Sequence, residues 1–323
     1  MSPTRSAARP LRVLTQNLYL GADLGPAMTA ATPTAFVAAV AEIHAGVLAT
    51  DFPRRARAVA EILATERPAL VGLQEVALWS VGRAEQRPAH RQDFLAVLLA
   101  ALADRGLHYR VAALSRNALV GPVPLDADRL VRLRDRDVVL VDADEPGLVV
   151  RAGHGGRYVH QETLRPALGS PVRLDRGWAG VDATYDGRQV RFLTTHLELG
   201  LFEATQVAQV RELLTGPAAV AGAVVLTGDF NAVPGSAAYD DLVSACSDAW
   251  CVNGDDPGPT CGRDGALADP RSRLDTRLDL VLTLGAARAS AAHLVGATPL
   301  RGPGPGPVWA SDHAGVVATV ELA

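Results

Sequence analysis

The sequence predicts a mixed α/β (α+β) domain over residues 11–323, two packed sheets with helices outside, behind a flexible segment at 1–10. Three observations carry this expectation. Strand-like and helix-like patterns alternate up to about residue 108, the patterns beyond it are mainly β, and no shift in composition marks a linker. With 323 residues, 48% of them hydrophobic, the chain has enough apolar side chains for a sizeable core.

The elements follow in order. Residues 13–18 read as a strand. Residues 54–66 set Ala56, Val59, Ala60 and Leu63 on one helical face, closed by Pro68. A short buried strand at 70–73 delivers Gln74 and Glu75. A second helix is expected over 92–105, where Leu95, Leu98, Leu99 and Leu102 share a stripe and Gly106 stops it. Strands are expected at 137–141, 149–152, 178–185 and 189–196, the last two joined by a hairpin turn at Asp186-Gly187. A helix at 205–214, a strand at 223–226 and strands at 277–284 and 314–322 complete the set. Gly/Pro-rich loops fall at 255–269 and 301–307.

Composition excludes several chemistries. All 31 basic residues are arginine, so a Walker phosphate loop, a lysine Schiff base and a kinase-type lysine are absent. A net charge of −4 gives no global footprint for nucleic acid, although charge counts are silent about a local patch. The one tight basic group, Arg54, Arg55 and Arg57, lies on a helix. Cys246, Cys251 and Cys261 lack the paired spacing of a zinc site and read as free thiols, or as one disulfide in an oxidising compartment. The opening MSPTRSAARP is not followed by an export-type apolar run, and no apolar stretch is long enough to span a bilayer. The expectation is a cytoplasmic monomer, or a secreted one if an export signal has been removed.

Polar residues repeatedly stand where an apolar strand gives out. Asn17 follows LRVLTQ, Glu75 follows LVGLQ, His196 follows RFLTT, Asp229 and Asn231 follow AVVLTG, Asp279 interrupts RLDLVL, and Asp312-His313 precede AGVVATVEL. Each alone can be read as a cap or a turn, His196 most readily and Asp279 least, because an unpaired buried carboxylate is costly, but six such placements suggest a common rim. The set holds what phosphoester hydrolysis needs. Glu75 with Asn17 suits a hard divalent cation that prefers oxygen ligands and polarises a phosphoryl oxygen. Asp229 is placed to orient or deprotonate a water, and Asn231 to donate to a non-bridging oxygen. His196 and His313 would donate to the phosphate, with Asp279 fixing one imidazole.

The ordered motifs QN (16–17), LQEV (73–76), TTHLE (194–198), GDFN (228–231), RLDLVL (277–282) and SDH (311–313) resemble the endonuclease/exonuclease/phosphatase, or DNase I-like, superfamily of metal-dependent phosphohydrolases. The resemblance implies a four-layer α/β/β/α sandwich with its site at one rim. It implies Glu75, Asn17 and Asp312 at the metal, Mg²⁺ with Mn²⁺ or Ca²⁺ as alternatives. It places Asp229 and Asn231 at the nucleophile, His196 and His313 at the phosphate, and Asp279 on His313.

Tyr19 stands two residues after Asn17, where abasic-site endonucleases of the superfamily carry Asp. The first motif is closer to the bacterial sphingomyelinase-like branch, and Tyr19 is read either as a substrate contact or as core packing. The expected substrate is a small-molecule or lipid-like phosphodiester or phosphomonoester. The alternatives are a DNase- or RNase-type nuclease and a divergent metal-dependent enzyme acting on a biosynthetic intermediate. Asp137 is the candidate acidic partner of His196, against a reading as surface charge. His154, His160 and Trp178 are candidates for a cleft wall, and Glu198 reads as a strand-end charge.

Overall fold

The computed structural model describes residues 9–84, 86–168, 171–254, 256–300 and 306–323. Most of the expected flexible 1–10 segment and of the 301–307 loop therefore lies outside the described residues.

The chain opens with strand β1 (Leu11–Asn17), then helices α1 (Gly25–Thr29), α2 (Pro33–Ala49) and α3 (Phe52–Glu66), and strands β2 (Leu70–Gln74), β3 (Leu78–Gly82) and β4 (His90–Asp93). Helix α3 begins two residues before the apolar stripe suggests, because Asp51 caps it by accepting from the Arg54 amide at 3.2 Å and Pro53 fits its first turn. Helix α4 (Phe94–Ala103) is shorter than expected. Residues 92 and 93 belong to β4, and the Asp93 carboxylate caps the helix through the Leu95 amide at 3.1 Å.

A long hairpin of β5 (Tyr109–Pro124) and β6 (Leu130–Asp142) follows, then β7 (Leu148–Arg157) and the small pair β8 (Glu162–Leu164) and β9 (Val172–Leu174). The rest is β10 (Gly177–Tyr185), β11 (Arg188–His196), α5 (Glu203–Thr215), β12 (Ala223–Asp229), α6 (Ala237–Ala245), β13 (Ser247–Asp248), β14 (Asp279–Gly285), β15 (Ala287–Val295) and β16 (Gly315–Leu322). No single described helix is long and apolar enough to cross a membrane.

Two large sheets result. The first runs β15-β16-β1-β2-β6, with β5 on the far side of β6 and the β3-β4 pair continuing along β6 past the end of β2; the second runs β13-β14-β12-β11-β10-β7. Each has one parallel pair at its centre, β1-β2 and β11-β12. Parallel neighbours need a crossover, which α1–α3 and α5 supply. Leu11, Val13, Leu70, Val139, Val181, Phe192, Val225 and Val281 fill the space between the sheets. Leu14, Val71 and Val138 pack outward under α2, α3 and α4, while Leu193, Val224 and Leu226 pack outward under α5 and α6. The layers are therefore α/β/β/α, as expected.

Close approach of the sheets depends on Gly72. A Cβ there would stand 2.4 Å from Thr227 Oγ1 and 2.5 Å from Thr194 Oγ1. The register of β6 sets the last feature that bears on the site. Val138 lies opposite Leu73 near the end of β2, so residues 130–134 run on beyond that end and pair with β3 instead. With β3, β4 and the tip of β5 they form a wing projecting past one rim of the sandwich.

Candidate active site

Strand alternation explains why the polar residues meet. Successive side chains of a strand point to opposite faces, and Val13, Phe192, Val225 and Val281 point between the sheets. Counting in twos from each reaches Asn17, His196, Asp229 and Asp279. These are inward side chains at the same end of four strands, and each is at least nine-tenths buried.

Asp229 is the hub. Its Oδ2 accepts from Asn17 Nδ2 at 3.0 Å and lies 3.4 Å from His196 Nε2 and 3.9 Å from His313 Nε2; its Oδ1 accepts from the Asn231 amide at 3.0 Å. Burial alone would raise its pKa, but the two imidazoles, the Asn17 amide and the Asn231 N–H outweigh it and hold the group below its ordinary value. His313 Nδ1 is 2.7 Å from Asp279 Oδ2. Burial opposes the charge on His313, and Asp279 and Asp312 overcome it, so its pKa lies well above the ordinary 6.5. His196 goes the other way, pushed down to about 3 by burial and by Arg176. At neutral pH the site thus holds one cationic and one neutral imidazole.

Glu75 follows β2, and its Oε2 accepts from the Leu20 amide at 2.6 Å. Burial, then Asp312 and Asp135, push its pKa up to about 8. Asn17 Oδ1 accepts from the Tyr19 amide at 2.8 Å, and Ser311 Oγ lies 3.2 Å from Asp312 Oδ1. Three of these residues have left-handed backbones that are uncommon without glycine, Tyr19 (φ 59°), Glu75 (φ 54°) and Asn231 (φ 49°). Such conformations cost on the order of 1–3 kcal/mol each and gather where a site demands a particular aim.

Several side chains differ from expectation. Asp137 is no surface charge: it is 0% exposed and faces inward beside Val139, and although neither oxygen makes a well-formed hydrogen bond, the Asn117 amide and the His196 backbone N–H act on it. Burial, then Asp135, hold its carboxyl well above the ordinary range. No hydrogen bond joins it to the His196 ring, whose Nδ1 is itself buried without a partner. Glu198 is also 0% exposed; its Oε1 accepts from the Leu199 amide at 3.0 Å and lies 3.6 Å from Arg176 Nη2.

His154 lies within β7 rather than a loop, 2.8 Å from Asp182, and His160 is 2.5 Å from Glu212 of α5, so both are engaged away from the strand ends. Trp178 packs outward against the α5–α6 layer. The Tyr19 hydroxyl donates to Gly265 O at 3.0 Å and its ring packs with Leu267 and Trp309. The three cysteines are free, with Cys261 bridged through its backbone to His313.

Two buried arginines escaped sequence reasoning. Arg55 is 0% exposed and donates to Leu18 O at 2.5 Å, Thr50 O at 2.9 Å, Ala310 O at 3.1 Å and Tyr19 O at 3.3 Å. Arg263 donates to Ser311 O and His313 O, both at 3.0 Å, and sits 4.1 Å over Trp309. Together they grip the backbone on either side of Asp312. Burial lowers both to about 10, and Asp312 is the charge that opposes this most for each.

Hard oxygen donors and surplus negative charge fit a divalent cation. Glu75 ionises only reluctantly beside Asp312 and Asp135, which a cation would relieve. Among the described residues, Asp229, Asp279 and His313 bring one ligand atom each within 4.8 Å, but the ordinary role of the Asp279–His313 contact is a hydrogen bond.

Comparison with known proteins agrees with this arrangement. Residues 14–313 match the sequence model of the Endonuclease/Exonuclease/phosphatase family. The chain belongs to this family. Its members are metal-dependent phosphoester hydrolases, and the chain is accordingly an enzyme of that kind. Among solved structures it is similar to an endonuclease/exonuclease/phosphatase family protein from Bacteroides thetaiotaomicron (TM-score 0.60, 16% identity, 98% of this chain and 99% of that one). It is also similar to a humanized D. rerio TDP2 (TM-score 0.58, 16% identity, 96% and 98%) and to a family protein from Leptotrichia buccalis (TM-score 0.57, 15% identity, 97% and 100%). Comparison with curated protein sequences gave no match. At these identities the structural likeness speaks for the family fold alone.

Proposed function

We propose that residues 11–323 form one catalytic unit, a Mg²⁺-dependent phosphohydrolase that cleaves a phosphoester by attack of an activated water. The observation that supports this most is Asp229, held ionised at the meeting point of both sheets by Asn17, Asn231 and two imidazoles, of which His313 is cationic and His196 neutral at neutral pH. Glu75, Asn17 and Asp312 would hold the cation, with Mn²⁺ or Ca²⁺ as alternatives; when bound it polarises the phosphoryl group. Asp229 orients the water and takes its proton. Its Asn17 and Asn231 hydrogen bonds fix the carboxylate without using up all of its lone pairs. His313, kept charged by Asp279, turns Nε2–H toward a phosphate oxygen, its 3.9 Å separation from Asp229 being too long for a hydrogen bond between the two. Neutral His196 adds a second donor, and Asn231 holds the loop through Leu197 O at 3.0 Å.

The substrate is read as a small-molecule or lipid-like phosphoester, on the sphingomyelinase-like spacing of Asn17 and Tyr19. A nuclease is the second reading, favoured by similarity to a D. rerio TDP2 described as complexed with a single strand DNA product (TM-score 0.58, 15% identity). The test is hydrolysis of bis-p-nitrophenyl phosphate, p-nitrophenyl phosphate, sphingomyelin and plasmid DNA with Mg²⁺, against EDTA and Asp229→Ala. Loss of about 10²–10⁴-fold in the variant is expected from removal of a general base. Unchanged hydrolysis in Asp229→Ala or Glu75→Ala overturns the assignment.

A further inference from the structure

Beyond the rim, the inner face of the first sheet changes from acidic to apolar. Strand β6 is unbroken, so Val139, Asp137, Asp135, Leu133 and Val131 alternate onto one face, the one that Val139 turns toward the second sheet. The β3-β6 register sets Trp79 beside Leu133 and Val81 beside Val131 on that same face. Asp135 is near enough to Glu75 to help raise its pKa. Leu133 is the next inward side chain, about 7 Å further along the strand.

The small hairpin of β8 and β9 lies over this apolar stretch. Its side chains alternate, Leu164, Val172 and Leu174 half-buried and Thr163 and Arg173 exposed. With Trp79, Leu133 and Phe36 of α2, the three half-buried side chains line a cavity of about 140 Å³. Hydrogen bonds hold the hairpin at both ends. At its neck Gln161 Nε2 donates to Tyr158 O at 2.8 Å and to Arg176 O at 2.7 Å, and Oε1 accepts from the Arg176 amide at 2.7 Å. Further out, the Ala167 amide donates to Met28 O of α1 at 3.3 Å.

Two connections place the cavity against the catalytic residues. Glu75 Oε2 accepts from the Leu20 amide at 2.6 Å, and Trp79 Nε1 donates to Leu20 O at 2.9 Å. A single residue spans at most about 3.6 Å, so the indole nitrogen in the cavity wall stands within about 10 Å of the Glu75 carboxylate. On the other wall, Arg176 follows Leu174 by two residues, and its charge acts on both His196 and Asp135. A substituent on the ester being cleaved can therefore reach the cavity while its phosphate is at the site.

The walls decide what enters. The described lining side chains are all apolar, and the Trp79 N–H is already engaged. A polar group would lose its hydration there without replacement. Size is equally restrictive, since an apolar cavity of roughly 150 Å³ takes one benzene ring.

We propose that this cavity receives an apolar substituent of the substrate, so that the preferred substrate is a phosphoester carrying one compact apolar group, the size of a single ring, rather than a long acyl chain. The inference rests on the phosphoesterase reading and narrows its substrate class.

The test follows hydrolysis with Mg²⁺, by phosphorus NMR, of methyl phosphodiesters and phosphomonoesters bearing an ethyl, benzyl, naphthylmethyl or dodecyl group, all alkoxide leaving groups of similar basicity. In wild type, kcat/KM for the benzyl ester is expected to exceed that for the other three by roughly tenfold or more. Val172→Trp, which fills the cavity from the hairpin, is expected to remove the benzyl preference and leave the ethyl ester unaffected. Leu164→Ala, which enlarges the cavity, is expected to move the preference to naphthylmethyl. Saturation-transfer NMR with benzyl alcohol in EDTA is the separate readout. Binding in wild type that is lost in Val172→Trp supports the cavity, and if no ester is then hydrolysed it is the phosphoesterase reading alone that fails. Equal benzyl-to-ethyl ratios in wild type and both variants overturn the proposal. So does a rate that climbs from benzyl to dodecyl, or benzyl alcohol binding that Val172→Trp does not change.

Discussion

Asp137 shows what a single side chain can hide from sequence. In RDRDVVLV it sits among charges and reads as solvated, yet counting back in twos from Val141 and Val139 turns it inward, where the Asn117 amide and the His196 N–H do not offset the cost of burial. The wild-type protein therefore keeps this carboxyl protonated over a range where the unfolded chain ionises it. A raised folded-state pKa means that the folded state binds the proton more tightly, so stability falls as pH rises above the ordinary value of 3.8 toward the folded value. Asp137→Asn has nearly the same shape and no such proton. Its unfolding free energy relative to wild type is expected to be least favourable near pH 4 and to become more favourable by pH 7, by urea denaturation in metal-free buffer. A difference that does not change with pH would mean that Asp137 is ionised in the folded protein. Asn17, His196, Asp229 and Asp279 were legible for the converse reason: each interrupts an apolar run whose period already fixes its face.

At the scale of elements, the strands with long apolar runs were legible, whereas β3, β4, β5, β8, β9, β13 and β15 and three helices were not. Helix α2 is PTAFVAAVAEIHAGVLA, apolar nearly all round, so no stripe distinguishes it; α1 and α6 have five and nine residues, too few for a period to declare itself. The wing was missed because its strands lie far apart in sequence and meet only through the β3-β6 and β5-β6 registers. Arg55 was misplaced more simply. Three arginines in RRAR suggest a basic surface, but α3 turns the middle one into the core, where it ties β1's exit, through Leu18 and Tyr19, to Ala310 ahead of Asp312. Arg55→Met leaves those carbonyls without donors and is expected to cost about 3 kcal/mol or more, since each orphaned buried group costs roughly 1–3. Arg55→Lys should recover little, because an ammonium cannot reproduce the planar fork. Chemical denaturation gives the first number, and a lysine variant as stable and active as wild type would show that charge alone suffices at this position.

At the scale of the whole molecule, the site is a joint between two sheets. Asn17 and Glu75 come from the first, Asp229 and Asp279 from the second, and Asp312 from the segment leading into β16. Without a cation this joint gathers carboxyls that resist ionisation, with Glu75 pushed to about 8 and Asp279 to about 6, burial being the largest cause for both. Their ordinary values are 4.5 and 3.8, so the unfolded chain releases these protons first and the metal-free protein loses stability as pH rises from about 4.5 toward 8. His313 acts in the same direction, its raised pKa stabilising the fold below 6.5 and ceasing to do so as pH passes the folded value. A divalent cation favours the ionised carboxylates and so competes with those protons. Saturation to about 100 times Kd stabilises the folded state by about 2.7 kcal/mol, which for a chain of this size is a Tm increase on the order of 5 °C. Mg²⁺ at one fixed concentration is therefore expected to raise Tm more at pH 8 than at pH 6, and Glu75→Gln to reduce the increase at pH 8. Calorimetry in EDTA and in Mg²⁺ at the two pH values measures this. An equal increase at both, insensitive to Glu75→Gln, would place the cation away from the joint between the sheets.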